Sequence, residues 1–519
     1  MVSVLLDRHV AEGRGERTAI KTPEKSITYR ELNRLTNRVG NALRTLGVEM
    51  EQRVALLLPD SPSFIAAFLG AMKIGAVPVP LNTLAGPADF EYFLNDSRAK
   101  VLVVGAALFH NVELIRSRCS SLKHVIVDGE EIPGALAFDR LVGGQQDDLE
   151  PAHTHHDDPA YWLYSSGTTG RPKGVVHLHR DMVSCVSAYA QHVLNLGADD
   201  LLFSVPRLFF SYGLVNSLYL PLWSGAASLL SADRPDPTLT LRLITQHRPT
   251  IFFSVPTSYT AILNEIERRV CRQAGRVCRQ AGGADYDFGS LRLAISAGEA
   301  LPVPLLERWR NVTGVEILDG IGTTEVGYIF ISNRPGRVRP GSSGEVVPGY
   351  DVKIVAEDGA EVGPGVVGDL LVKAESGAAY YWHQREKSRE TFQGEWLRTG
   401  DKYVKEADGY YFYVGRADDL FKVSGHWVSP IEIEERLLQH PAVSECAVVG
   451  VRDESGLMKP KAYVVLREGS AGHDQLVQEL HAFVREKLPP FKTPQWISLV
   501  PGLPKTATGK IERFKLRVQ

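Results

Sequence analysis

Tyr161-Trp162-Leu163-Tyr164-Ser165-Ser166-Gly167-Thr168-Thr169-Gly170-Arg171-Pro172-Lys173-Gly174 is the most informative run in the sequence. Its first four residues, aromatic and aliphatic, read as the end of a buried strand. Ser165 to Gly170 then offer backbone N–H groups without bulky side chains, together with several hydroxyls, and Lys173 adds a cation. Those are the parts that hold a phosphate chain. The run is not the Gly-x-x-x-x-Gly-Lys-Ser/Thr loop of the nucleotide hydrolases, because Gly174 follows Lys173. The competing reading is a plain Ser/Thr/Gly surface turn, since Gly and Ser dominate turns.

Outward from this stretch the chain has 519 residues, too many for one core, and predicts two or more domains. Upstream, helical spacing around Tyr29–Leu46 and at Ser61–Ile74 alternates with strand-like runs at Arg53–Leu58, Gly75–Pro80, Val101–Val104 and His124–Val127. That alternation predicts α/β layers with parallel sheet. Downstream, Asp181–Leu196 reads as a helix. Leu201–Gly213 and Thr250–Tyr259 each read as a strand running into an aromatic loop. Phe210, Ser211 and Tyr212 in the first of these read either as core or as a pocket wall.

Leu291–Pro302 is a strand with a tight turn at Ala297, Gly298 and Glu299, followed by a helix at Val303–Asn311. Ile317–Glu325 ends in Asp319-Gly320-Ile321-Gly322-Thr323-Thr324-Glu325. Carboxylates and hydroxyls bunch there at the C-terminal end of a strand, where α/β sheets place ligands. A carboxylate in that company suits Mg²⁺. Residues 340–420 are Gly-rich with short strands and predict an antiparallel region. The last hundred residues alternate strand and helix on their own account. The boundary falls near Arg416–Asp419, dividing the chain into domains 1–415 and 416–519.

Composition narrows the function classes. The net charge of −3 implies neither a nucleic-acid nor an anionic-membrane partner. No run of ~18 apolar residues is present to span a bilayer. The N-terminus has no apolar core or cleavage signal, and the five scattered cysteines fit a reducing compartment, so the sequence predicts a cytoplasmic protein. His153, His155 and His156 stand among Asp147, Asp148, Asp157 and Asp158, without the ordered spacing of a metal site. Residues 269–282 are Arg-Val-Cys-Arg-Gln-Ala-Gly twice over, which reads as a local duplication lengthening a loop or helix end.

The order of these motifs is more specific than any one of them. The phosphate loop is followed by Asp-Gly-Ile-Gly-Thr-Thr-Glu at 319–325 and by Arg398-Thr399-Gly400-Asp401. Gly415-Arg416-Ala417-Asp418-Asp419 comes next, then Pro504-Lys-Thr-Ala-Thr-Gly-Lys510. The chain thereby resembles the adenylate-forming superfamily over nearly its whole length. Leu-Phe-Phe-Ser-Tyr-Gly (208–213), Pro-Gly-Arg-Val-Arg-Pro-Gly (335–341) and Lys-Val-Ser-Gly-His-Trp-Val-Ser-Pro (422–430) most resemble benzoate- and hydroxybenzoate-CoA ligases.

The resemblance implies an α/β fold. A large N-terminal domain has two α/β sheet subdomains and a small β-barrel-like subdomain, and a small mobile α+β C-terminal domain follows. It also implies an AMP-forming acid–thiol ligase, with ATP, Mg²⁺ and coenzyme A, acting on a small aromatic acid. In that scheme Ser165, Ser166, Gly167, Thr168, Thr169, Gly170 and Lys173 bind ATP, with Thr168, Thr169 and Lys173 on the leaving pyrophosphate. Gly298, Glu299, Asp319, Gly320, Ile321, Gly322 and Thr323 surround the nucleotide. Thr324 meets the α-phosphate, Glu325 holds Mg²⁺, and Asp401 and Arg416 bind the ribose. Phe210, Ser211, Tyr212, Ala297 and Tyr328 form the acid pocket. Lys510 bridges the acid and the α-phosphate, Asp418 is the hinge, and Gly425 lets the thiol pass.

The sequence departs from the wider pattern in three places. Phe210 stands where many acyl-CoA ligases have His, Ile321 replaces an aromatic, and Tyr328 stands where benzoate ligases tend to have His. The first two changes also resemble the benzoate subgroup. The Tyr328 hydroxyl points to a hydroxy- or amino-substituted benzoate. Other readings stay open: a separate carrier protein as the acceptor, a silent nucleotide or aryl-acid sensor, and a luciferase-like oxygenase. A homodimer is compatible with the family, and no segment of the sequence locates its interface.

Overall fold

The computed structural model describes residues 1–165, 171–274, 286–423, 426–467, 474–505 and 511–517. Among these residues, two sheets with parallel centres organise the large part of the chain. In the first, Val77–Pro80, Arg53–Leu57, Val101–Gly105, His124–Asp128 and Leu136–Ala137 lie side by side, all parallel. Val101–Gly105 is buried at every position, as continuous apolar strands covered on both faces must be. The second sheet runs Glu345–Val346, Ile329–Ser332, Ile317–Gly322, Leu293–Ala297, Ile251–Ser254, Leu201–Ser204, Ala227–Leu229, Thr18–Lys21 and Ser26–Thr28. Its centre is parallel and its outermost strands are antiparallel.

The helices start where their caps allow. Thr28 accepts from the Glu31 N–H and Glu31 answers on the Thr28 N–H, opening the helix Tyr29–Thr45 with Tyr29, Leu32, Val39 and Leu43 turned inward. Ser61 caps Pro62–Lys73 through the Phe64 N–H. A third, antiparallel sheet of Tyr350–Val355, Gly368–Ala374, Trp396–Lys405, Phe392–Gln393 and Tyr411–Arg416 follows. The strand Tyr411–Arg416 ends at the predicted domain boundary. Beyond it Val443–Arg452, Met458–Leu466 and Trp496–Leu499 form a small sheet. Val448 and Val464 of that sheet share a core with Ile433 and Leu437 of the helix Pro430–Leu438 and with Leu480.

Two expectations are corrected and one strand pairing is new. The strand Pro159–Ser165 lies outside the two parallel-centred sheets. It pairs antiparallel with Lys173–Leu178, so Lys173 opens a strand instead of closing a loop. Thr250–Tyr259 does not end in an aromatic loop: the strand stops at Ser254, Pro256 starts a helix, and Tyr259 is fully buried with its hydroxyl on the Ile295 carbonyl at 2.9 Å. The helix predicted from Asp181 begins at His179. The first copy of the tandem repeat reaches into the helix Pro256–Ala274, and residues 275–285 lie outside the described residues. Among the described residues no helix is long and apolar enough to cross a membrane, and Cys119, Cys185 and Cys446 are free and buried.

Candidate active site

The hairpin Pro159–Ser165/Lys173–Leu178 sets Ser165 opposite Lys173, so both ends of the intervening run are held at one rung. Ser166, Gly167, Thr168, Thr169 and Gly170 lie outside the described residues. Ser165 Oγ is buried, with no hydrogen-bond partner among the described residues. On its other edge Lys173–Leu178 pairs with Tyr380–Tyr381. That pairing sets the Lys173 ammonium 3.8 Å from the centre of the Tyr381 ring and 3.6 Å from Glu325 Oε1. The Tyr381 hydroxyl donates to the same oxygen at 2.7 Å. Burial lowers the Lys173 pKa against the opposing pull of Glu325, and Lys387 and Arg416 lower it further. Burial and then Glu325 raise that of Tyr381.

Both of these contacts to Glu325 fall on Oε1, and a carboxylate has a second oxygen for a hard cation. A single protein carboxylate near the run predicted to bind phosphate fits Mg²⁺, which keeps several waters and takes the rest of its shell from substrate phosphates. The three-ligand cluster found among the described residues lies elsewhere: His155, His156 and Asp157, all exposed, with Asp157 also paired to Arg180.

Asp319 lies on the strand Ile317–Gly322, opposite Ser296. It is buried, and among the described residues Oδ1 has no hydrogen-bond partner. Burial pushes its carboxyl well above the usual range, against the Ser296 hydroxyl and the N–H groups of Gly320 and Leu301. Gly320 and Gly322 pack against the next strand, and a Cβ on Gly322 would meet the Tyr328 carbonyl at 2.6 Å. Ile321 packs on the core, and Thr323 Oγ1 accepts from the Val326 N–H at 3.1 Å. The Thr324 carbonyl meets His177 Nε2 at 2.7 Å, and His177 Nδ1 lies 3.0 Å from Asp181. Gly298 is exposed at φ +93°, and Glu299 beside it is half-buried.

Asp401 and Arg416 face each other across paired strands, joined at 3.0 Å. Burial opposes the Arg416 charge, but Asp401 and Tyr413 more than restore it and raise its pKa. Asp418 lies in the turn that follows. Its carbonyl accepts from Arg517 at 2.9 Å, and Arg517 also binds Asp419. Gly425 and Lys510 lie outside the described residues.

The predicted pocket residues also converge. Ser211 Oγ donates to the Gly327 carbonyl at 2.6 Å, and the Tyr212 hydroxyl donates to the Ile295 carbonyl at 3.1 Å. The Tyr212 ring centre lies 6.1 Å from that of Tyr328. Phe210 keeps part of its surface open, whereas Ala297 and Tyr328 are buried. A small crevice lies nearby, lined by Asp60, Ser204 and Arg207 among others, and none of the predicted residues lines it.

Tyr381, His177 and Asn216 were not foreseen. Tyr381 sits in an aromatic run, Tyr380-Tyr381-Trp382, whose closeness to Lys173 depends on a strand pairing that sequence spacing does not reveal. His177 sits on the unforeseen second strand of the hairpin. Asn216 follows the predicted pocket loop by four residues, in a helix that the aromatic-loop reading hid.

The chain resembles known proteins over nearly its whole length. The profile described as "AMP-binding enzyme" matches residues 7–382, and that of the "AMP-binding enzyme C-terminal domain" matches residues 432–510. The chain is 45% identical over 515 residues to the benzoate–CoA ligase of Thauera aromatica, covering 99% of this chain and 94% of the relative. It is 42% identical to the 4-hydroxybenzoate–CoA/benzoate–CoA ligase of Rhodopseudomonas palustris, covering 99% and 92%. Among solved structures, an anthranilate CoA ligase in complex with anthranoyl-AMP superposes with a TM-score of 0.93 at 43% identity, over 100% of this chain and 96% of that one. A benzoate CoA ligase from Burkholderia xenovorans LB400 gives 0.90 at 43%, over 99% of each. With both profiles in place and full-length relatives above two-fifths identity, the chain belongs to the AMP-binding enzyme family.

Proposed function

We propose that this chain is an AMP-forming aryl-CoA ligase. It joins a benzoate-type carboxylate to the α-phosphorus of ATP, releases pyrophosphate, and passes the aryl group from AMP to the thiol of coenzyme A. The observation that carries the reading is the cluster of Lys173, Glu325 and Tyr381 at the foot of the hairpin, within the electrostatic reach of Arg416. One anion must attack another in the first half-reaction, and fixed cations and N–H donors are what lower that barrier. Lys173, with Thr168 and Thr169, takes the charge of the departing pyrophosphate. Glu325 holds Mg²⁺, which when bound neutralises phosphate oxygens. Thr324 meets the α-phosphate, and Lys510 spans the acid and that phosphate. The Oδ1 of Asp319, without a hydrogen-bond donor among the described residues, suits the exocyclic amine of adenine. Asp401 and Arg416 take the ribose hydroxyls.

The second half-reaction needs Lys510 to leave and the thiol to enter. Rotation of 416–519 about Asp418 does both, with Gly425 leaving room beside the backbone. The acid is of benzoate size, plain or bearing a small polar substituent. The test is ATP–pyrophosphate exchange across benzoates, cinnamates and short fatty acids, followed by addition of CoA. Exchange with a benzoate followed by thioester formation is the expected result. Exchange with CoA inert assigns the second step to a separate carrier protein. No exchange with any acid overturns the proposal.

A further inference from the structure

The turn that carries Thr324 and Glu325 is held from outside by its backbone. The Thr324 carbonyl takes His177 Nε2 at 2.7 Å, besides the Gly327 N–H at 3.2 Å from within the turn. The Glu325 carbonyl takes the Ala378 N–H at 2.7 Å, and the Val326 carbonyl takes the Ser376 hydroxyl at 2.7 Å. His177 shares the strand Lys173–Leu178 with Lys173, four residues away, so the two side chains leave the same face. One meets the Glu325 carboxylate and the other the Thr324 carbonyl. The hydrogens of His177 are set by its partners. A carbonyl oxygen only accepts, so Nε2 carries one. Nδ1 lies 3.0 Å from Asp181 Oδ2, which also accepts from the Leu178 N–H at 2.9 Å. Asp181 sits in the first turn of the helix His179–Tyr189, where the helix dipole favours a carboxylate. A nitrogen lone pair facing that oxygen would be repelled, so His177 donates from both ring nitrogens. The pair is sealed from water, with side chains 0% and 1% exposed. The His177 ring is also stacked on Tyr161, centres 4.8 Å apart and planes 9° apart, which fixes the direction of Nε2.

We infer that His177 is a positioning residue for the first half-reaction. Braced by Asp181 behind it, His177 fixes the Thr324 carbonyl, and through the main chain it aims the Thr324 hydroxyl and the Glu325 carboxylate. A small error in that aim is costly where in-line attack at phosphorus depends on placement. The inference rests on the AMP-forming ligase reading, in which those two groups meet the α-phosphate and Mg²⁺, and it adds the residues that hold them in place. The competing reading is that the pair only ties the hairpin to the turn. The two readings part when the pair is removed whole.

The test uses His177→Phe, which keeps a ring against Tyr161 and removes both donors, and the double variant His177→Phe with Asp181→Asn. The single variant leaves a buried carboxylate without its partner and should melt early. Asparagine keeps an acceptor for the Leu178 N–H and removes the charge, so the double variant should regain most of the lost melting temperature. ATP–pyrophosphate exchange with benzoate should nevertheless stay down by about tenfold or more in both. Thioester formation from supplied benzoyl-AMP and saturating CoA, a step that releases no pyrophosphate, should hold within about twofold of wild type. His177→Gln, which returns one donor, should recover part of the exchange. Should His177→Phe not fold, the double variant and His177→Gln are read in the same way. Exchange that recovers together with the melting temperature, or equal losses in the two half-reactions, overturns the inference. No exchange by the wild type with any benzoate overturns the ligase reading instead.

Discussion

The Tyr381 hydroxyl has one contact that matters for chemistry, the hydrogen bond to Glu325, while its ring lies beside the Lys173 ammonium. Tyr381→Phe separates the two, since it removes the hydroxyl and keeps the ring. A hydrogen bond to a charged partner contributes about 1.5–3 kcal/mol. The expected outcome is a drop of roughly tenfold to a hundredfold in pyrophosphate exchange. The apparent Mg²⁺ requirement should rise, and the melting temperature should change little. An unchanged Mg²⁺ titration would show that the hydroxyl does not orient the Glu325 carboxylate. At this scale Lys173 and Glu325 were legible in the sequence, because each lies in a short run of ligand-like residues. Tyr381 was not, because only the pairing of Tyr381 with Val175 brings it to them. Asn216 was hidden for another reason: a buried amide inside an apolar run gives no pattern until its partners are known.

The short helix that begins at Ser211 depends on Gly213, which sits against the carbonyls of Pro206 and Arg207. A methyl group there has no room, and the obstacle is backbone, which cannot swing aside. Gly213→Ala should therefore cost about 1–3 kcal/mol in urea unfolding. It should also raise KM for the aryl acid, because Phe210, Ser211 and Tyr212 ride on the displaced segment. The helix His179–Tyr189 carries a different sensitivity. Its first residue, His179, is buried, and burial lowers its pKa to about 4 from 6.5. The fold thus favours the neutral ring. Its stabilising share is fully present above pH 6.5 and is lost as pH falls from there through about 4. The amount at stake is on the order of 3 kcal/mol. Urea unfolding of the wild type and of His179→Gln, compared at neutral and mildly acidic pH, should show a smaller acid loss in the variant. Most elements were legible from periodicity, among them the helix Tyr29–Thr45 and the strand Val101–Gly105. The strand Lys173–Leu178 was missed because it follows the phosphate-like run without a hairpin turn signal, and the two sides of the turn lie far enough apart to read as unrelated.

Across the whole molecule, the C-terminal segment is tied to the turn after the antiparallel sheet. Arg517 donates to the Asp418 carbonyl and to Asp419, and Arg513 binds Glu434 at 2.7 Å. Arg517→Ala loosens the first tie. The expected outcome is unequal change in the two half-reactions, with aryl-AMP formation and thioester formation in single turnover shifting relative to each other by about twofold to fivefold. An equal change in both would mean that Arg517 serves stability alone. The order of motifs disclosed the architecture at this scale, but not which strands would lie at the sheet edges, because long-range pairing leaves no local trace. One such pairing sets Ile20 beside Ser228. Until that early segment docks, Ala227–Leu229 is an open row of N–H and C=O groups, and closing so distant a contact is slow. Refolding is thus a race between docking within a chain and pairing between chains. Recovery of native protein should fall steeply as the concentration of unfolded chains rises, and a segment far in sequence from the proposed chemistry guards the molecule against its own aggregation.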